Sequence, residues 1–269
     1  MYEFDYQNPE DLASAVEARK NADDGLYLAG GQTIITVMKQ RLAMPSDVID
    51  LKGVNDLRGI CIGDRKITIG AMTTHADVAA NENIQRLIPA LSGLAGKIGD
   101  PHVRNRGTLG GSIANNDPAA DYPAALVALA ATIHTHQREI SGDTFFTDLF
   151  ETALDDGELI TKVDFPIVRA AAYEKIHNPA SRFAIVGVFV AVSDDGVRVA
   201  VTGAGPCVFR VPMMEQALSD NFSPSALDTI KIDADGLNSD MHGTADYRAH
   251  LISVAARRAV ITVGSGDKA

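Results

Sequence analysis

Apolar positions along the chain alternate between helical and strand spacing in short blocks, and the blocks fall into three groups. In the first group, Leu12, Ala15 and Val16, with Arg19, recur at helical spacing. The run Asn8-Pro9-Glu10-Asp11 reads as the helix start, with Asn8 as cap, Pro9 in the first turn and Gly25 as the stop. Residues 26–29 then read as a strand, Gly30-Gly31 as a turn, and 33–41 as a helix with Ile34, Ile35, Val37 and Met38 inward. Residues 47–51 read as a second strand. This is a compact βαβ unit with a glycine pair where a strand hands over to a helix.

The second group opens with a hairpin, 59–62 and 66–71 around Gly63-Asp64-Arg65. Ile84, Leu87, Ile88, Leu91, Leu94, Ala95 and Ile98 follow at helical spacing, interrupted by Pro89, and read as a core stripe. A polar, turn-rich stretch over 104–121 breaks the pattern before Pro123 and the apolar run 124–131 restart a helix. Residues 133–137 read as a strand, 145–150 as a short helix and 158–165 as a strand ended by Pro166. Beyond a junction at 168–172 come three strands, 172–177, 184–192 and 197–203, with Asp194-Asp195-Gly196 as a tight turn. Helical patterns at 211–218, 223–230 and 244–263 and a frayed tail over 264–269 complete the chain. Strands followed by helices predict an α+β protein: a small βαβ unit (1–55), a larger mixed unit (56–168), and a C-terminal antiparallel sheet with a helical bundle (169–269).

Composition narrows the function. At 269 residues, 46% of them hydrophobic, the chain can bury more than one core. It carries 24 Lys+Arg against 35 Asp+Glu, a formal net charge of −11, and has no basic stripe, which argues against nucleic acid as a partner. Cys61 and Cys207 stand alone with no CxxC spacing, so an iron–sulfur cluster or structural zinc held by this chain is not expected, and a reducing, cytoplasmic location is. No apolar run is long enough to predict insertion into a membrane. His134 and His136 alternate on one strand face but lack a third ligand, and no GxSxG, Walker A or HExxH motif is present. Catalytic residues are therefore not assigned; the reactive atoms of any enzyme built on this chain are expected to belong to a cofactor.

Two glycine-rich segments are the candidates for holding one. Ala29-Gly30-Gly31-Gln32-Thr33, followed by Ile34, offers consecutive backbone N–H donors and a hydroxyl, and Thr108-Leu109-Gly110-Gly111-Ser112 offers the same set. Neither is a GxGxxG fingerprint, so a standard Rossmann domain is not predicted. Two such cradles suit the diphosphate of a dinucleotide such as FAD or NAD, whereas a glycine cluster can also be a structural loop that binds nothing. Asn115, Asp117 and Asp121 add polar groups to the second segment; Asp121 reads either as an acceptor for a ribose or adenine donor or as the cap of the next helix.

These segments resemble the FAD-binding medium subunits of the molybdenum hydroxylases, the group that includes carbon monoxide dehydrogenase and xanthine dehydrogenase. The resemblance rests on AGGQT at 29–33, RLAMPSDVIDL at 41–51, IGAMTTHADVA at 69–79 and GDPHVRNRGTLGGSIANNDPAADYPAAL at 99–126, with YEKI at 173–176 and TADYRAHLISVAARRAV at 244–260. It implies a two-part FAD-binding domain followed by the C-terminal domain. The two glycine segments would hold the FAD diphosphate, Asp121 the adenosine side, and the backbone around Leu159 and Ile160 the adenine. Lys175 would lie near the flavin, with Phe183 against the isoalloxazine ring. Gln32 and Thr33 stand where family members often have His and Ser, and Phe183 keeps a stacking face without a tyrosine's hydroxyl. By the same resemblance the chain passes electrons from an iron–sulfur small subunit, fed by a molybdopterin large subunit, through FAD to an external acceptor. A self-standing FAD oxidoreductase and an interaction module without FAD are the alternatives.

Overall fold

A computed structural model describes residues 1–266. The first unit alternates strand and helix: β1 (Asp5–Gln7), α1 (Leu12–Asn21), β2 (Gly25–Leu28), α2 (Ile34–Lys39) and β3 (Asp47–Asp50). Its strands are parallel in the order β1-β3-β2, with Val48 opposite both Tyr6 and Leu26. Helix α1 starts three residues later than Asn8 predicts. Asp11 is the cap, its Oδ1 accepting from the Ser14 N–H at 2.7 Å while the Ser14 hydroxyl receives the Asp11 N–H; this reciprocal pair fixes the helix start.

The second unit holds a five-stranded antiparallel sheet and a cluster of short helices. In chain order come β4 (Ile60–Ile62), β5 (Lys66–Gly70), α3 (His75–Ala80), α4 (Glu82–Leu87), α5 (Pro89–Gly96), α6 (Pro101–Arg104), α7 (Leu109–Asn115) and α8 (Tyr122–Ala128). The unit closes with β6 (Thr132–Thr135), β7 (Glu139–Ser141), α9 (Gly142–Phe145), β8 (Phe146–Asp148), β9 (Glu151–Thr152) and β10 (Ile160–Pro166). The sheet order is β4-β5-β10-β6-β7. Ile67, Ile69, Ile133, Val163 and Phe165 from the sheet bury against Leu91, Leu94, Leu109, Ile113 and Tyr122 from the helices. Pro89 splits the long apolar stripe into α4 and α5, as a residue without an N–H must inside a helix. The expected helix over 145–150 is replaced by α9 and the β8-β9 hairpin, because Phe146 leaves the helical region to pair with Thr152.

The third unit is a meander, β11 (Ala170–His177), β12 (Ala184–Ser193), β13 (Gly196–Thr202) and β14 (Phe209–Arg210), with α10 (Pro212–Asp220) and the long α11 (Ala245–Gly266). Strand β12 is apolar almost throughout because both its faces are covered. Val186, Val188 and Val190 meet α11 residues such as Ile252 and Ala256, while Phe189 and Ala191 join the core of the second unit. Residues 223–230 hold only a 3-10 turn, Pro224–Leu227, instead of the expected helix. Within the expected tail, α11 continues to Gly266, and 267–269 lie outside the described residues.

Candidate functional site

The two glycine segments meet. Gly30 is packed so tightly onto residues 106–107 that a Cβ there would overlap the Arg106 carbonyl and stand 2.8 Å from Gly107 Cα. Gly111 faces Ala29, its Cβ position 3.5 Å from the Ala29 methyl. The second segment also threads into the second unit's core. His75 donates its N–H to the Gly107 carbonyl at 3.0 Å and Leu109 donates to Thr73 at 3.1 Å, which makes Thr74 and Thr108 an antiparallel bridge.

The donors of the two segments are unequal, which corrects the expectation of twin cradles. Leu109 and Gly110 give their N–H groups to Thr73 and Ala71, Gly111 donates to the Thr108 hydroxyl oxygen, and Ser112 donates to the Thr108 carbonyl. The stretch 108–112 is therefore the capped first turn of α7, and Gly110 is there for contact: a Cβ would lie 2.6 Å from that of Ala71. In the first segment no acceptor among the described residues takes the N–H of Gly30, Gly31, Gln32, Thr33 or Ile34. Gly31 adopts φ +75°, a turn that suits glycine, and the chain then enters α2 without a side-chain cap on its first N–H groups. Successive N–H groups left free in such a turn form an anion-binding concavity. That donor set fits one diphosphate.

The polar residues beyond α7 have distinct places. Asn115 is half-buried and Asp117 closes a turn, its Oδ1 accepting from the Ala119 N–H at 2.8 Å. Asn116, left-handed at φ +42°, ends α7 and donates its side-chain amide to the Asp148 and Glu151 carbonyls. Asp121 stands at the cap position of α8 but makes no capping bond. Its carboxylate instead accepts from the Tyr173 hydroxyl at 2.5 Å and the Lys175 ammonium at 2.8 Å. Burial pushes the Asp121 carboxyl up from its usual range, against the pull of Lys175 and the Tyr173 hydroxyl; the same burial and the Asp121 charge push the Tyr173 phenol well up.

Sequence reasoning does not single out Tyr173, although it shares a strand face with Lys175 two residues on. Gly187, opposite Lys175 in the register, leaves the space that the Tyr173 hydroxyl occupies. The third unit is stitched to this segment by Ala184, Gly203 and Thr202, which donate to carbonyls of Ala119, Pro118 and Ala120. Phe183, half-exposed, sits next to that seam. Leu159 packs in the core of the first unit, near Ala29, and its own N–H and carbonyl are paired with His136. Ile160 opens β10 opposite Thr135. His134 bonds Asp164 through Nε2 at 2.9 Å, with Glu139 3.3 Å from its Nδ1.

Two glycine-rich turns thus converge, and one of them carries successive N–H groups with no acceptor among the described residues. Residues 2–168 match the family described as the FAD binding domain in molybdopterin dehydrogenase. The chain is 32% identical over 275 residues to the nicotine 6-hydroxylase medium subunit of Paenarthrobacter nicotinovorans, covering 97% of each. It is 31% identical over 274 residues to the carbon monoxide dehydrogenase medium chain of Afipia carboxidovorans, covering 96% of this chain and 95% of that one. The solved carbon monoxide dehydrogenase of Hydrogenophaga pseudoflava superposes with a TM-score of 0.89 at 30% identity over 98% of both chains. The protein belongs to the FAD-binding medium subunits of the molybdenum hydroxylases, and the fold of those subunits is its own. Among the described residues no helix is long and apolar enough to cross a membrane.

Proposed function

We propose that this chain is the FAD-holding electron-transfer subunit of a molybdenum hydroxylase. In that assembly it takes electrons from the clusters of an iron–sulfur small subunit, supplied by a molybdopterin large subunit, and delivers them to an external acceptor. The observation that carries this reading is the row of N–H groups from Gly30 to Ile34 that have no acceptor among the described residues, abutting residues 106–107. In this reading Gly30, Gly31, Gln32, Thr33 and Ile34 hold the diphosphate. Ala29 and Gly111 meet where the turns close on each other, Gly110 lets α7 pack on Ala71, and Leu109 anchors α7 in the core. Thr108 and Ser112 face the diphosphate with their hydroxyls, and Asn115 and Asp117 line the approach. Leu159 and Ile160 flank the adenine, and Lys175 stands by the flavin with Phe183 over the ring; Asp121, which the resemblance gives to the adenosine side, has its carboxylate engaged by Lys175 and Tyr173. FAD supplies the electron exchange itself, a chemistry no protein side chain here offers. The free thiols of Cys61 and Cys207 fit a reducing compartment, and we place the complex in the cytoplasm.

The absorption spectrum of the purified chain, before and after added FAD, tests the reading. A flavin spectrum that survives desalting, together with co-purification of two further chains, supports it. A colourless chain that leaves added FAD fluorescent and unshifted overturns it, and a single chain that turns over substrate alone favours a self-standing oxidoreductase instead.

A further inference from the structure

Behind the second glycine segment, at the start of α3, lies His75, which is only 4% exposed. Its N–H holds the Gly107 carbonyl, and its ring lies against the Cα of the same glycine: a Cβ on Gly107 would come within 2.6 Å of His75 Nε2 and 2.8 Å of Cδ2. The ring also meets Tyr122, with centroids 5.4 Å apart and the planes tilted by 46°. Gly107 is outside the left-handed region, so its backbone would accept a side chain; the imidazole is the main obstacle. Gly107 is also in close contact with the first glycine turn, a Cβ on Gly30 coming within 2.8 Å of its Cα.

The result is a stack in the loose sense of successive contacts: Gly30 on Gly107, Gly107 on the His75 ring, and that ring beside the tilted Tyr122 ring. Tyr122 follows Asp121, the partner of Lys175 and Tyr173. The stack therefore joins the two ends of the site, the diphosphate turns and the buried ion pair. Burial, with Arg104 adding to it, pushes the His75 imidazole down to about 4, so the ring in the stack is neutral at ordinary pH. His75 Nδ1 and the Tyr122 hydroxyl are both sealed without a hydrogen-bond partner among the described residues, so the ring's place is set by packing.

We propose that His75 is a positioning residue for FAD, wedged under Gly107 so that residues 106–108 stay pressed against the Gly30 turn. The proposal rests on the FAD reading above and deepens it. Its test is a double-mutant cycle on the full chain, read as FAD affinity by flavin fluorescence titration and as the melting temperature with and without FAD. Gly107→Ala should weaken FAD binding about tenfold or more, since its methyl collides with the ring. His75→Ala should weaken it by a similar factor, because the turn loses its support. The double variant, in which the methyl introduced by Gly107→Ala enters the space the ring vacates, should bind FAD more tightly than either single variant.

Losses in the two single variants that simply multiply in the double would overturn the proposal, as would a His75→Ala chain that binds FAD like the parent. A fall in melting temperature equal with and without FAD, at unchanged affinity, would overturn it too and assign His75 to the core alone. A parent chain that does not bind FAD fails the functional reading itself, a result separable from all of these.

Discussion

The Lys175 ammonium lies 2.8 Å from Asp121 Oδ2, and both side chains are almost wholly removed from water. Each charge is tolerable there only because the other is present; the Tyr173 hydroxyl takes the second carboxylate oxygen. Lys175→Met should therefore destabilise the chain by about 3–5 kcal/mol, since it strands a buried carboxylate. Adding Asp121→Leu to it should recover much of that loss. Thermal denaturation of the two variants decides the matter, and an additive double variant would contradict the pairing.

Gly30 is a different kind of requirement. Its backbone is not left-handed, yet a methyl there would strike the Arg106 carbonyl and force the two glycine segments apart. Gly30→Ala should keep the secondary structure seen by circular dichroism while weakening FAD retention about tenfold or more, measured as flavin absorbance after desalting.

Asn116 bonds both ends of the turn that carries the exposed Leu149 and Phe150, through the Asp148 and Glu151 carbonyls. Asn116→Gly keeps the φ +42° conformation available but removes both bonds, so a loss of about 1–3 kcal/mol is expected. Asn116→Ala should cost more, by the added penalty of a left-handed alanine. Limited proteolysis within 148–151 should accelerate in both variants, and urea titration gives the order.

Acid sensitivity has an identifiable source in Glu158. Two hydrogen bonds from Arg138, with others from the Asp155 N–H and the Thr135 hydroxyl, hold this carboxyl down from its ordinary 4.5 to about 2. A carboxylate favoured in the folded state contributes stability above its unfolded value, and that contribution fades as the pH falls from 4.5 towards 2. The melting temperature of Glu158→Gln should lie below that of the parent at neutral pH, and the gap should close across that acid window.

Much of this protein is legible without coordinates where local chemistry dominates. The βαβ start, the Pro89 break, the meander from 170 to 202 and the length of α11 follow from residue spacing and from proline's missing N–H. The glycine segments also stand out, and their motifs carry the family. Less is legible where short pieces compete. Six-residue α3 has too few apolar positions to register a period, and 145–150 becomes a hairpin because Phe146 finds a partner in Thr152.

The chain alone thus determined which turns are glycine-rich, because glycine placement is written residue by residue. Only the tertiary structure decided that Gly110 and Gly111 have no free N–H, that Asp121 is shared with residues 52 and 54 positions away, and that His75 sits beneath Gly107. A hydrogen-bond donor is available only if no nearer acceptor takes it, and which acceptor is nearest depends on segments far apart in the sequence brought together by the burial of their apolar neighbours.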